Sequence, residues 1–104
     1  MSIKTNEETF EVDVLNSEKP VVVDFYADWC GPCRALAPTL DTISDENSDV
    51  VVAKVNIEEN NDLANKYGVR SLPTLVFFKD GKPAGILVGL QSKDTILSKL
   101  EELK

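Results

Sequence analysis

At 104 residues the chain falls short of the roughly 150 of an ordinary domain, so one domain spanning 1–104 is expected and a second is excluded. Its 42% hydrophobic and 28% charged residues, with only 5 Gly and 5 Pro, suit a packed core and exclude a disordered chain. The 18 Asp and Glu outnumber the 11 Lys and Arg to leave a charge of −7, which repels nucleic-acid phosphate and anionic lipid, while the absence of His excludes imidazole base catalysis and His-ligated metal.

In chain order, Ser2 to Lys4 reads as a short edge strand. Thr5-Asn6-Glu7-Glu8 then has the form of a capping box, with Thr5 as the cap, opening a helix whose inner face is Phe10, Val14 and Leu15. Val21 to Ala27 (VVVDFYA) is a strand with apolar residues on both parities, so both its faces should be covered, as in the middle of an α/β sheet. Leu36, Ala37, Leu40 and Ile43 recur at helical spacing and predict a helix from Cys33 to about Asn47, kinked at Pro38, whose missing N–H should bond the Arg34 carbonyl.

Val50 to Ile57 (VVVAKVNI) is a second buried strand, and Asp62 to Tyr67 is a short helix that Gly68 can end. Thr74 to Lys79 and Ala84 to Val88 flank Asp80-Gly81-Lys82-Pro83, and an Asp-Gly turn between apolar runs predicts an antiparallel hairpin. Ser92 should cap a last helix with Ile96, Leu97, Leu100 and Leu103 on one face. The order β-α-β-α-β-α-β-β-α implies a mixed sheet between helices. No apolar run approaches the roughly 20 residues of a membrane-spanning helix, and Met1 to Glu8 lacks the basic start and apolar stretch of a signal peptide, so a soluble, cytoplasmic chain is expected.

The two cysteines, Cys30 and Cys33, sit together in Trp29-Cys30-Gly31-Pro32-Cys33. A loop so short would stabilise the fold by only about 2 kcal/mol, against about 3 for fifteen residues, so the pair is poorly placed as a staple. Metal binding would need two further Cys or His ligands, which the chain lacks, and haem attachment would need His where Arg34 stands. Dithiol redox chemistry is the reading that fits, beside which only a zinc or iron-sulfur site shared between chains stays open. A Cys opening a helix meets unpaired N–H groups and the positive end of the dipole, which favour its thiolate, so Cys30 reads as the nucleophile. Cys33, one turn on, can resolve a mixed disulfide formed at Cys30. Pro32 fits a first helical turn and Gly31 leaves the attacking sulfur uncrowded, both suited to a bulky partner.

These residues carry a resemblance. YADWCGPC at 26–33, the Val23-Asp24-Phe25 before it, KYGVRSLPT ending at Thr74, and Val88-Gly89 resemble the thioredoxin family over essentially the whole chain. The likeness implies a thioredoxin-like α/β fold, with a central mixed sheet of about five strands flanked by about four helices. It further implies a small protein-disulfide reductase without a cofactor of its own, monomeric, and recharged by a flavoprotein thioredoxin reductase.

For the remaining positions, the resemblance implies roles beside which plainer readings stay open. Asp24 shares a face with Val22 and Tyr26, where an ionisable group is costly to bury. The likeness makes it the acid behind the cysteines that exchanges a proton with Cys33, against a strand residue that reaches solvent. It makes Lys54 the countercharge of Asp24, against a lysine snorkelling from a strand end, and gives Trp29 the docking surface, against a purely structural tryptophan. Pro73 would be a cis proline facing the dithiol, with the Leu72 backbone bonding an extended substrate, against an ordinary strand-initiating proline. Gly89 would leave room for the same substrate, against a plain strand-ending glycine. Two positions depart from the family: Tyr26 stands where many members carry Trp, and Ser71-Leu72 replaces the common Gly-Ile, which bears on partner preference. A binding module with incidental redox chemistry, and an isomerase-like oxidant, are the competing functions; the Gly-Pro dipeptide resembles the reducing members.

Overall fold

The computed structural model describes residues 2–104. Its strands are β1 (Ile3–Lys4), β2 (Val21–Tyr26), β3 (Val51–Asn56), β4 (Thr74–Lys79) and β5 (Lys82–Val88). Its α-helices are α1 (Gly31–Glu46), α2 (Asn61–Lys66) and α3 (Lys93–Glu102), and a π-helical segment covers Glu11–Leu15. The strands form one mixed sheet in the order β1-β3-β2-β4-β5. β1, β3 and β2 run parallel, and β4 lies antiparallel to both β2 and β5.

Alternation along β2 sorts the core into two layers. Val21, Val23 and Phe25 join Ala53, Val55, Val76 and Phe78 on one face, covered by Phe10, Val14, Leu63 and Ala64. Val22 joins Val52, Leu75 and Phe77 on the other, covered by Leu36, Leu40 and Ile43 of α1 and by Ile96 and Leu100 of α3. The register explains the sorting, because Val23 pairs with Val76 and Val22 with Phe77. Both faces of the central strand are covered, as its double apolar parity predicts.

Turn chemistry fixes the ends of the elements. Asp80 and Gly81 both have positive φ, 53° and 79°, the type I′ geometry whose twist matches a two-residue hairpin. β5 starts at Lys82, two residues earlier than its apolar run suggests. Phe77 pairs with Gly85 and Phe78 with Pro83, so the ladder shifts at Ala84, and Pro83 sits on an edge strand where its missing donor is tolerated. Gly68, at φ 69°, ends α2: its N–H reaches the Asn65 carbonyl while that of Val69 reaches the Ala64 carbonyl.

The N-terminal cap differs from expectation. Asn6, not Thr5, accepts the N–H groups of Glu8 and Thr9 through its side chain. Thr5 is instead drawn inward, where its N–H extends the β1 ladder to the Lys54 carbonyl and its hydroxyl meets that of Thr9. The segment that follows closes as a π turn, the Asn16 N–H reaching the Glu11 carbonyl five residues back. Glu7 caps a different helix: its carboxylate accepts the Leu63 N–H in the first turn of α2, while its own N–H donates to the Asn60 side chain. The reciprocal bonds of a capping box are thus assembled from two segments 53 and 56 residues apart.

Candidate dithiol site

The site forms where β2 ends and α1 begins. α1 starts at Gly31, two residues before the predicted Cys33, and Cys30 is its N-cap in extended conformation. The Cys30 sulfur accepts the Cys33 N–H at 3.2 Å, one of the donors a helix start leaves unpaired. Pro32 occupies the first turn, where its missing donor costs nothing. The helix continues through Pro38 to Glu46. Cys30 and Cys33 are joined as a disulfide with their Cα atoms 5.2 Å apart, and both are buried. Ala27 completes their cluster, against which Tyr26, Ile57 and Leu72 pack.

The two sulfur-bearing residues line different spaces. Cys30 lines a groove of about 410 Å³ with Trp29, Pro32, Ile57, Val69 and Leu72. Trp29 is 65% exposed at its edge, and Gly31 has open space where a Cβ would stand. Cys33 lines a separate pocket of about 250 Å³ behind it, with Tyr26, Asp28, Arg34 and Lys54.

Asp24 sits on β2 in register with Lys54 on β3. It is 1% exposed, and among the described residues none hydrogen-bonds either of its carboxyl oxygens. Burial therefore pushes its pKa from 3.8 up to about 7, with the Lys54 charge opposing part of the rise. Lys54 is half-buried, and its ammonium lies over the Tyr26 ring, 5.1 Å from the centroid, rather than in hydrogen-bond contact with Asp24.

The Leu72–Pro73 peptide is cis and Pro73 is buried at the head of β4. Thr74 holds the approach by donating its hydroxyl to the Ser71 carbonyl at 2.6 Å. Gly89 donates its N–H to the Pro73 carbonyl at 2.8 Å and has φ 89°, a backbone shape that other residues rarely adopt. Gly89 thus joins the proline turn from the end of β5.

Three groove residues escaped the sequence reading: Ile57, Val69 and Arg70. Ile57 and Val69 look like ordinary core residues in sequence, and only the fold shows that they end at the groove. Arg70 stands directly before Ser71-Leu72-Pro73, and that adjacency was the one available signal.

The thioredoxin family model matches residues 1–102. The chain is 50% identical over 95 residues to thioredoxin 1 of Synechococcus elongatus, covering 90% of this chain and 89% of that protein. It is 47% identical over 100 residues to the thioredoxin of Synechocystis, covering 95% and 94%. A solved structure of a mutant thioredoxin from Halobacterium salinarum superposes with a TM-score of 0.88 at 41% identity, over 98% of this chain and 90% of that one. The chain therefore belongs to the thioredoxin family, and its Cys30–Cys33 pair exchanges dithiol for disulfide with disulfide-containing target proteins.

Proposed function

We propose that the chain works as a reductant of protein disulfides, with its two cysteines in fixed and different roles. The observation that carries this reading is the separation of the two spaces: Cys30 lines the apolar groove at the surface and Cys33 lines the pocket behind. A target disulfide docks in the groove against Trp29, Gly31, Pro32 and Leu72, with Pro73 and Gly89 holding the wall in shape. The Cys30 thiolate, favoured by the Cys33 N–H and the helix dipole, attacks one target sulfur, forming a mixed disulfide and releasing the other as thiolate. Cys33 then attacks the Cys30 sulfur, the mixed disulfide breaks, and the second target sulfur leaves. Two electrons have passed from the dithiol to the target.

Asp24 serves the second step. A carboxyl poised at about 7 can take the Cys33 proton as that thiol attacks and return it afterwards. Lys54 supplies the opposing charge. A flavoprotein thioredoxin reductase returns two electrons to the disulfide, and the protein acts in the cytoplasm as a monomer of one domain.

Insulin reduction by dithiothreitol tests the activity: the protein should accelerate it, where a mere binding module would not. Cys30→Ser should abolish turnover, whereas Cys33→Ser should still attack and stall as mixed disulfides that mass spectrometry finds on Cys30. Adducts on Cys33 of the Cys30→Ser protein, with none on Cys30 of the other, would reverse the roles. A reduction potential more oxidising than the glutathione couple would favour the oxidant reading instead.

A further inference from the structure

Lys54 is flanked in register by Asp24 on β2 and by Lys4 on β1. One neighbour attracts its ammonium and the other repels it. The ammonium rests on neither, lying 5.1 Å from the centroid of Tyr26, within the roughly 6 Å over which a ring face attracts a cation. Tyr26 is two residues beyond Asp24 on β2, and so on the same side of the sheet. Tyr26, Lys54 and Cys33 line one pocket. The charged and titratable groups facing this cluster are Lys4 from β1, Asp28 before α1, Cys33 and Arg34 from α1, and Glu59 after β3. The Arg34 guanidinium is engaged with the Asp28 carbonyl at 2.8 Å.

We propose that Tyr26 is a positioning residue, whose ring face holds the Lys54 ammonium in the rear pocket, near enough to act on Asp24 through space and outside hydrogen-bond contact with it. It rests on the reading of Asp24 as the acid that exchanges a proton with Cys33. A lysine bonded directly to the carboxylate would keep Asp24 permanently ionised, unable to hold a proton. With no lysine field, burial alone would lift the midpoint further and favour the protonated form. A charge held at intermediate distance leaves both states within reach, consistent with a carboxyl near 7. The phenol suits this use. Its hydroxyl is pushed above its ordinary value by burial and then by the charges of Asp28, Glu59 and Asp24, so the ring stays neutral when Asp24 titrates.

The test is the titration midpoint of the Asp24 carboxyl, followed by carbon NMR in the oxidised protein, where neither cysteine titrates. Lys54→Met should raise the midpoint by about 1 pH unit when Tyr26 is present. In a Tyr26→Leu protein the same change should raise it by less than half as much, because the ammonium has already left. Tyr26→Phe keeps a ring face and should preserve most of the Lys54 effect. An equal rise beside Tyr and beside Leu overturns the proposal, and so does a Tyr26→Phe protein that behaves like Tyr26→Leu. Should Tyr26→Leu fail to fold, Tyr26→Met provides the ringless background. The midpoint is read without turnover, so a fully active Asp24→Asn protein would sink the role of the acid while the titration alone decides the hold on Lys54.

Discussion

Val21, Val23 and Phe25 of β2 meet a wholly apolar layer, whereas Val22, Asp24 and Tyr26, alternating with them, turn toward the layer that α1 covers and the dithiol completes. The first layer closes on an aromatic group in which Phe78 stands 5.6 Å from Phe10 and 5.2 Å from Tyr67. The second holds a carboxyl with neither oxygen hydrogen-bonded among the described residues. One strand thus carries stability on one parity and an unfavourable, chemically useful group on the other. The fold tolerates the cost of Asp24 because Val21, Val23 and Phe25, on the opposite face of the same strand, are apolar and buried.

The largest expected stability effect breaks the apolar side. Phe78→Ala should cost about 3–5 kcal/mol, a large share of the 5–15 kcal/mol typical of a domain. Phe78 lies four residues along β4 from Thr74, about 13 Å from the site end of the strand. Denaturant melts should therefore show the loss while the folded fraction reduces disulfides at the normal rate. A matching drop in the activity of the folded protein would mean that the two parities are coupled.

Asp24→Asn probes the other parity, with the opposite sign. The carboxyl titrates at 3.8 when exposed and at about 7 when folded, so between those values the native state holds more protons than the unfolded state. The Asp24 contribution to stability consequently falls as pH rises from about 4 to 7, and the full penalty, about 4 kcal/mol, persists above that. The Asn protein has no such penalty. Its advantage should be near zero at pH 4, grow to about 4 kcal/mol by pH 8 and then level off, while its disulfide reduction slows at the Cys33 step. Parallel melts of the two proteins across pH 4 to 9 measure this, and two parallel curves would show that Asp24 is not titrating from a buried site.

How far this division could be read in advance depends on the range of the interaction. The double parity of VVVDFYA, the Asp80-Gly81 turn and the Ser92 cap are local signals, and the strands, hairpin and last helix followed from them. The dithiol was legible for the same reason, since Cys30 and Cys33 lie within one turn of helix. Thr5 lost its cap to Asn6 because β3 claims its backbone, and Glu7 turned to α2 across 56 residues; no short window of sequence brings β3 or α2 beside them. Lys54 is the mixed case. Pairing with Asp24 was implied by the family resemblance alone, and its resting place on Tyr26 depends on side-chain geometry at the back of the site.

The smallest effect sharpens the comparison by destabilising the Asp24 side without touching its acid. Ser92 accepts the Thr95 N–H at 3.1 Å and caps α3, which lays Ile96 and Leu100 on the same layer as Val22. Ser92→Ala removes that acceptor and should cost about 1 kcal/mol. Because Asp24 keeps its burial and its neighbours, the variant's stability should lie below that of the parent by the same amount at every pH from 4 to 9. The fall between pH 4 and 7 should keep its slope, and disulfide reduction should be unchanged. A Ser92→Ala curve that loses this slope would mean that loosening α3 admits water to Asp24, so that the burial of the acid depends on the helix covering the far end of its layer. Retention of the slope would locate the cause in the immediate surroundings of Asp24, on β2, β3 and the start of α1.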